Sequence, residues 1–364
     1  MTARKHALRV AAVSSLVAAG LIGGAGLGSA SAQAPAPSPS PAPPAAVGNI
    51  TIAAVGDTIL GSTPTLPPQP AHYLDPVDAA LTAGSQIVFA NLEGTLTDQT
   101  KSKCPPHDDE CFAFRNPPRF ASYLAAAGFT ILNDANNHSF DYGRVGQQQT
   151  VRAIHRAGMA QTGLPGEITV VKAGGEKVAF LGFAPYPYDA SLLDLKTAAT
   201  MIREASKEAP IVVVYMHAGA EGSDRTQVTG QEEHFLGEDR GNPEAFAHLA
   251  IRNGADLVIA SGPHVLRGMQ FFRGHLIAYS LGNFANFHNF GSGGVLSDSA
   301  ILHVTLTPTG AFVTGRLTSV LLDGEGRASL GGGSIALVRS LSREDFGTQA
   351  ARVGNQGLIR PPAH

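Results

Sequence analysis

Short apolar runs alternate with stretches of helical spacing along most of this chain. Apolar, β-branched runs predict strands, and apolar residues at every third or fourth position predict helices. The predicted strands lie at residues 49–55, 86–90, 129–132, 168–171, 177–183, 210–216 and 255–260, and the predicted helices at 75–83, 117–127, 146–157, 196–208 and 243–252. After residue 260 strands dominate, with a hairpin at 270–279 and strands at 300–306 and 315–322. This order predicts a single α/β domain with two packed sheets flanked by helices.

Polar side chains follow five of these strands at the point where each strand ends. They are Asp57, Asn91 with Glu93, Asn137 with His138, His217, and His264. Ligands of open α/β sheets bind at the carboxyl ends of the strands, so we expect these side chains to meet on one rim. A mixture of carboxylate, amide oxygen and imidazole suits divalent zinc, manganese or iron. A carboxylate that bridged two such ions would position a water and lower its pKa, which supplies a hydroxide nucleophile at neutral pH.

The stretch from residue 131 to 143 carries this pattern most strongly. A buried strand gives way to Asn137, His138 and Asp141, whose side chains suit metal coordination or contact with an anionic group. Taken alone, these residues are typical of a polar turn, because Asn and Asp tolerate left-handed backbone and Gly143 permits close approach. The recurrence of the pattern at the other strand ends favours a site.

The first 32 residues have the pattern of a secretory signal peptide. Arg4, Lys5 and Arg9 precede an apolar run that ends in the small residues 29–32, which signal peptidase favours. An uncleaved membrane anchor is the alternative, but glycines dilute the run and it is short for a span. We therefore expect an exported protein that is secreted or associated with the cell envelope.

The remaining chain divides by composition. Residues 33–48 are mostly Pro, Ala and Ser, which predicts a disordered linker. A folded domain is expected at 49–342 and a loose tail at 343–364. Without the leader's three basic residues, 23 lysines and arginines face 29 acidic residues, a net charge of about −6. This balance argues against a nucleic-acid-binding protein.

The chain has two cysteines, Cys104 and Cys111. Their close spacing in an exported chain predicts one small disulfide loop. His107 and the three acidic residues at 108–110 lie within this loop and could form a metal clip. We favour an acidic hairpin closed by the disulfide.

Six strings of residues occur in order between about residues 49 and 325. They are Val55-Gly-Asp-Thr, Asn91-Leu-Glu-Gly, Asn136-Asn-His-Ser-Phe-Asp-Tyr-Gly, Met216-His-Ala-Gly, Gly254-Ala-Asp-Leu-Val-Ile with Pro263-His-Val, and Ile277-Ala-Tyr-Ser-Leu-Gly-Asn-Phe. In these motifs the chain resembles the CapA family of poly-gamma-glutamate capsule-synthesis proteins, which is related to calcineurin-like metallophosphoesterases. Chance agreement over six ordered motifs is improbable.

The resemblance implies a fold and a set of site residues. The fold is a four-layer αββα sandwich of the metallophosphoesterase type, with two mixed sheets flanked by helices and one or two divalent ions at the rim. The implied metal-site residues are Asp57, Glu93, Asn137, His217 and His264. Glu93 would be the bridging ligand by its position, and His138 a catalytic acid or a contact to an anion. The residues expected to support the site are Asn91, Asp141, Glu221 and Asn283.

One position departs from the family pattern. Members commonly carry a second histidine two residues before the one in Pro263-His-Val, and here that residue is Gly262. We expect one metal position to be weakened, or to be filled by a residue from elsewhere such as Glu221 or Asp224.

Two functional hypotheses follow. The first is an exported, metal-dependent hydrolase of the phosphoesterase type that takes part in the synthesis, export or anchoring of an anionic capsule polymer such as poly-gamma-glutamate. Its substrate would be the polymer or a phosphoester, and family analogy gives a membrane-bound polymer synthase as a partner. The alternative, favoured by Gly262, is a non-catalytic polymer-binding or assembly module with a degenerate metal site.

Overall fold

The computed structural model describes residues 48–106, 108 and 111–363. The predicted signal peptide at 1–32, the predicted linker at 33–48 except for Gly48, and the loop residues His107, Asp109 and Glu110 lie outside the described residues. The predicted disulfide between Cys104 and Cys111 is formed, with the two Cα atoms 5.5 Å apart. None of the helices in the described residues has the length and apolarity needed to cross a bilayer.

The helices and strands predicted from the hydrophobic pattern are present with small shifts at their ends, whereas one further helix and several short strands were not predicted. The helices are α1 Asp75–Thr82, α2 Phe120–Ala126, α3 Gly143–Arg156, α4 Leu195–Glu208, α5 Pro243–Arg252 and α6 Ser334–Phe346. The strands are β1 Ile50–Thr58, β2 Ile87–Leu92, β3 Thr95–Leu96, β4 Arg115–Asn116, β5 Ile131–Asn133, β6 Ala160–Thr162, β7 Thr169–Ala173, β8 Glu176–Phe183, β9 Ile211–His217, β10 His234–Phe235, β11 Glu238–Asp239, β12 Leu257–Ser261, β13 Met269–Phe272, β14 His275–Ala278, β15 Asn283–Ala285, β16 Asp298–Leu306, β17 Phe312–Leu322, β18 Ala328–Leu330, β19 Arg352–Val353 and β20 Leu358–Arg360.

Two helices begin where the sequence supplies a capping side chain. Asp194 accepts a hydrogen bond from the backbone N–H of Thr197 at the start of α4, and Asn242 accepts one from Ala245 at the start of α5. Pro243 follows in the first turn of α5, where its fixed φ fits the helix and its missing N–H costs nothing.

Two large sheets are formed by the described residues. The first has ten strands in the order β19-β20-β17-β16-β1-β2-β5-β6, with β15 beside β1 and β18 beside β17. Its strands β1, β2, β5 and β6 run parallel, whereas β16 and β17 are antiparallel to their neighbours. The second has six strands in the order β13-β14-β12-β9-β8-β7, parallel in its centre and antiparallel at both edges. Both sheets are therefore mixed, as predicted.

The two sheets share an apolar core. Phe89 of β2 stacks on Phe180 of β8, with ring centroids 5.8 Å apart, and its ring lies 5.4 Å from that of Tyr215 in β9. Helices α1 to α3 pack on the first sheet through a second core, and α4 and α5 pack on the second sheet through a third. The predicted α/β class, with two mixed sheets flanked by helices, is confirmed.

The prediction of a loose tail at 343–364 is wrong for the described residues. Helix α6 crosses the expected boundary at residue 342, and β19 and β20 extend the first sheet beyond β17. Val353 and Ile359 are buried, and the backbone N–H of Leu317 donates to Gly357 O. The tail is therefore held by sheet pairing and by two buried side chains.

Gly56 lies where β1 passes close to the backbone of Gly282, the residue just before β15. A Cβ atom at this position would stand 1.9 Å from the carbonyl oxygen of Gly282, a backbone atom that cannot rotate away. We expect Gly56→Ala to lower the free energy of unfolding by about 3 kcal/mol or more, measured by urea denaturation. Gly324→Ala is the control because its Cβ meets nothing within 4 Å. Equal stability of the two variants would contradict the close approach.

Candidate metal centre

Strand register places the polar residues of the first sheet in one row. Asp57 of β1 pairs with Asn91 of β2 on one side and with Asn283 of β15 on the other. Asn91 pairs in turn with Asn133 of β5. All four residues are buried. The parallel strands therefore deliver carboxylate and amide groups to the same edge.

The second sheet meets this row through hydrogen bonds. His217 at the end of β9 pairs with Ser261 at the end of β12. Ser261 Oγ donates to Asp57 Oδ1, and the backbone N–H of Gly262 donates to Asp57 Oδ2 at 3.3 Å. The two sheets thus converge on Asp57, and the expected rim is present.

Three buried residues form a group that could hold a metal ion. Asp57, Glu93 and His217 offer ligand atoms that all lie within 4.8 Å of one another. His264 lies beside them, with Nδ1 3.4 Å from Asp57 Oδ2 and Nε2 3.7 Å from Glu93 Oε1. Glu221 Oε2 is 3.5 Å from His264 Nε2. Carboxylate and imidazole atoms with this spacing suit a first-row divalent ion.

Glu93 Oε1 and Asn137 Oδ1 are among the buried acceptor atoms of the site that have no hydrogen-bond partner in the described residues. A buried polar atom without a partner costs roughly 1–3 kcal/mol. A bound cation would remove this cost, so the residues present fit a divalent metal ion.

The charges of the site also call for a cation. Burial and the charge of Asp57 raise the pKa of Glu93 well above its usual value. Burial would lower the pKa of His264, but Glu93, Asp57 and Glu221 together raise it well above the usual value. Burial would raise the pKa of Asp57, but its hydrogen bond to His264 and the charge of that ring hold the pKa well below the ordinary range. The carboxylates thus draw a proton onto His264 when no ion is bound.

His217 gives the metal-free protein a pH-dependent stability. Burial and then the charge of Arg240 lower the pKa of His217 to about 3 in the folded chain. An unfolded histidine has a pKa of about 6.5, so between these values only the unfolded chain binds the proton. Stability then falls as the pH is lowered, by about 1.4 kcal/mol per pH unit.

We expect His217→Gln to remove the contribution of His217 to the dependence of the free energy of unfolding on pH. The measurement is urea unfolding in chelator at several pH values between 6.5 and 4, with the exposed His155→Gln as the control. A slope that is unchanged in His217→Gln would contradict the account of this ring.

Amide side chains hold Asp57 in place. Asn91 Nδ2 donates to Asp57 Oδ1 at 2.8 Å. Asn91 Oδ1 in turn accepts from Asn133 Nδ2 at 2.7 Å and from Asn136 Nδ2 at 3.0 Å. Each amide is thereby fixed in one orientation, which directs the second oxygen of Asp57 towards His264 and Gly262.

His138 is oriented by a buried carboxylate. Its Nδ1 lies 2.8 Å from Asp141 Oδ2, which also accepts from the backbone N–H of Phe114 at 2.6 Å. Lys103 Nζ forms an ion pair with Asp141 Oδ1 at 2.7 Å and donates to Asn137 O. With Nδ1 engaged by Asp141, Nε2 is the ring nitrogen left to act on a ligand.

A cavity of about 280 Å³ lies over the site. His138, His264 and Glu221 line it, so the candidate proton donor and two candidate metal-site residues face the same space. The rest of the lining is largely apolar and aromatic: Phe112, Phe114, Phe235, Phe290 and Leu296. The rings of Phe114 and Phe290 pack against those of His138 and His264, so a substrate would meet charged groups and aromatic rings side by side.

The structure brings the predicted site residues together. Of the two residues named as substitutes for the histidine that is absent at position 262, one reaches the site and one does not. Glu221 reaches the site, where Asn137 Nδ2 approaches it at 3.4 Å, and Asn283 Oδ1 lies 2.8 Å from His264 Nδ1. Asp224 does not: it is exposed and pairs with Arg225. The proposal that Asp224 fills the site is therefore wrong.

Three groups at the site were not predicted from the sequence. Tyr215 lies two residues before His217 on the same face of β9, and Ser261 is the last residue of β12, so strand periodicity and position were available signals. Arg240 is fully buried against His217 and Glu221, yet it follows a short charged segment with no apolar pattern. No local signal distinguishes it from a solvated arginine.

Comparison with known proteins gives a family match. The family model described as "Bacterial capsule synthesis protein PGA_cap" matches residues 51–288. The PGA biosynthesis protein CapA of Bacillus subtilis (strain 168) is 28% identical over 270 residues, covering 69% of this chain and 64% of that protein. The capsule biosynthesis protein CapA of Bacillus anthracis is 29% identical over 178 residues, covering 43% and 40%. The chain therefore spans less than two thirds of either relative.

A solved structure shows a weaker likeness. The 5'-nucleotidase precursor from Thermus thermophilus matches with a TM-score of 0.41 and 15% identity, covering 81% of this chain and 59% of that one. Because this TM-score is below 0.5, the likeness carries no argument, and the fold follows from the strands and helices of this chain.

Proposed function

Because the chain belongs to the bacterial capsule synthesis protein PGA_cap family, we propose that it is a metal-dependent hydrolase of the phosphoesterase type that acts during the synthesis, export or anchoring of an anionic surface polymer. The observation that carries this proposal is the environment of Glu93. Its carboxylate is fully buried, its Oε1 has no hydrogen-bond partner among the described residues, and two imidazole nitrogens lie 3.7 and 3.8 Å from that atom. A buried carboxylate between two histidines is suited to a cation.

The site residues would divide the work between metal binding and proton transfer. Asp57, Glu93 and His264 would hold the ion, because each carboxylate lies within 3.7 Å of a ring nitrogen of His264. The amide of Asn91 keeps Asp57 oriented. When bound, a divalent ion lowers the pKa of a coordinated water and polarises a phosphoryl or carbonyl oxygen. Arg240, fixed beside Glu221 and His217, would add a positive charge next to the ion.

His138 would act as the general acid. Asp141 accepts from Nδ1 and fixes the ring, so that Nε2 can give a proton to the oxygen or nitrogen of the leaving group. Lys103 and the backbone of Phe114 hold Asp141 in turn. The aromatic lining would exclude bulk water from the reacting groups.

We also propose the cellular setting. The leader pattern at 1–32 supports export, and the net charge of about −6 after its removal supports action away from nucleic acid. The names of the two Bacillus relatives support a role in making poly-gamma-glutamate or a related polymer. A membrane-bound polymer synthase is the partner that this role would require.

The test is turnover by the full chain after chelation and reconstitution with manganese, zinc or iron. The substrates are an aryl phosphomonoester, an aryl phosphodiester and poly-gamma-glutamate, and Asp57→Asn is compared with the wild type. We expect ion-dependent turnover of at least one substrate, lost in the variant while circular dichroism shows an intact fold. Turnover that is unchanged in Asp57→Asn, or absent from a fully loaded wild type, would overturn the proposal.

A second function is favoured by Gly262. The family pattern has a histidine at this position, and its absence removes a candidate metal ligand. In this case the protein binds polymer without hydrolysing it. Affinity for poly-gamma-glutamate that survives chelator, with no turnover of any substrate, would establish this function in place of the first.

A further inference from the structure

Arg240 is a buried cation fixed against the site. Its Nη1 donates to Glu221 Oε1 at 2.8 Å and to Tyr186 OH at 2.9 Å, and its Nη2 lies 3.3 Å from His217 Nε2. The backbone is held as well, because Arg240 N donates to Glu233 O at 2.8 Å. The side chain is fully buried, so the guanidinium has no solvated alternative close by.

The hydrogen bonds around His217 have one consistent direction. A guanidinium can only donate, so His217 Nε2 accepts from Arg240 and the ring proton is on Nδ1. Nδ1 then donates to Tyr215 OH at 3.3 Å, Tyr215 donates to Ser261 Oγ, and Ser261 donates to Asp57. The lone pair of His217 Nε2 is therefore taken. It cannot serve Arg240 and a metal ion at once.

Gly262 lies beside the ring of His217. Its φ is +116°, in the region that favours glycine, and a Cβ atom would lie 3.3 Å from His217 Nε2 and 3.2 Å from the backbone nitrogen of Ala218. Position 262 therefore offers no side chain to the His217 end of the site. The positive charge next to His217 comes from the guanidinium of Arg240.

The other end of the site keeps its ligand atoms free for an ion. His264 Nδ1 donates to Asn283 Oδ1, so Nε2 faces Glu93 Oε1 at 3.7 Å and Glu221 Oε2 at 3.5 Å and can coordinate an ion that displaces its proton. Ligand atoms about 2.0–2.2 Å from one ion stand roughly 3–3.6 Å apart, close to these separations.

We propose that Arg240 stands in for a second metal ion, so that the site holds one divalent ion, at Glu93 and His264, with a fixed guanidinium beside it at His217. The inference deepens the proposed function and rests on it for the identity of the ion. It makes His217 a positioning residue for Asp57, acting through Tyr215 and Ser261, rather than a ligand.

The test is the metal content of the full chain, by elemental analysis after loading with Mn²⁺ and dialysis, together with Mn²⁺ titration calorimetry. We expect one ion per chain in the wild type. We expect His264→Ala to bind Mn²⁺ roughly 100-fold more weakly or worse, and His217→Ala to keep one ion. Two ions in the wild type, or loss of the ion in His217→Ala with retention in His264→Ala, would overturn the inference.

Arg240→Met extends the test by removing the charge and keeping the length. It frees His217 Nε2, and we expect a second Mn²⁺ to bind. The matched control is Arg267→Met, because Arg267 is equally buried and pairs with Glu233 but does not touch His217. A second ion that appears in both variants, or in neither while both remain folded, would contradict the role of Arg240; if Arg240→Met does not fold, the histidine variants decide.

The outcomes separate this inference from the proposed function. One ion without turnover of any substrate refutes the hydrolase and leaves the role of Arg240 standing. Two ions with turnover refute the role of Arg240 and leave the hydrolase standing.

Discussion

Glu93→Gln is expected to abolish tight metal binding and to lower turnover by roughly 10³-fold or more. Glu93 Oε1 lies 3.8 Å from His217 Nε2 and 3.7 Å from His264 Nε2, and glutamine removes the charge of this side chain while keeping its shape. Burial and Asp57 raise the pKa of this carboxyl, which means that its negative charge opposes folding when no ion is bound. The variant should therefore be as stable as the wild type in chelator.

Adding the ion distinguishes the wild type from Glu93→Gln. A ligand at about 100 times its Kd stabilises the folded chain by roughly 2.7 kcal/mol, so the wild type should gain that much in urea unfolding and Glu93→Gln almost nothing. Glu204→Gln, at an exposed ion pair with Lys207, is the control for loss of a carboxylate. Equal stabilisation of Glu93→Gln and the wild type by the ion would contradict the site.

His138→Gln is expected to lower kcat by roughly 10²–10⁴-fold without changing metal content. The ring faces the cavity and is held by Asp141 through Nδ1, while it makes no contact with the carboxylate of Glu93 among the described hydrogen bonds and ion pairs. The loss should depend on the leaving group, since a good leaving group such as p-nitrophenolate needs no proton. The fall in kcat should be largest for alkyl esters and smallest for aryl esters.

A merely structural role for His138 would give a uniform loss across leaving groups, and that result would contradict general acid catalysis. In Asp141→Asn the fall in kcat should depend on the leaving group in the same way but be smaller. The amide has one oxygen in place of the two that accept from Lys103, Phe114 and His138. His155→Gln, exposed on α3, is the matched control.

The sequence predicted the strands and the meeting of their polar ends because both follow from local pattern. A continuous apolar run such as 210–216 is long enough to identify a buried strand. Parallel pairing of β1 with β2 then brings Asp57 and Asn91 to the same edge of the sheet. The register shift between Ala54 and Asp57, which sets Asp57 opposite Asn91, is not encoded in that pattern. Their positions at strand ends also singled out His138, His217 and His264, and the resemblance to the family then implied their roles.

Other features depend on contacts that no local pattern encodes. Strands β19 and β20 are two and three residues long, with Val353 and Ile359 as their buried apolar side chains, which is too little periodicity to distinguish them from a tail. Arg240 is buried only because Glu221, Tyr186 and His217 meet it from other elements. Its role follows from tertiary geometry alone.

The position of the ion tests the central claim most directly. The measurement is an anomalous difference map from crystals of the full chain grown with Mn²⁺. We predict a peak about 2.1 Å from both Glu93 Oε1 and His264 Nε2. Mn²⁺-loaded crystals with no peak between these atoms would contradict a metal centre at the ends of these strands.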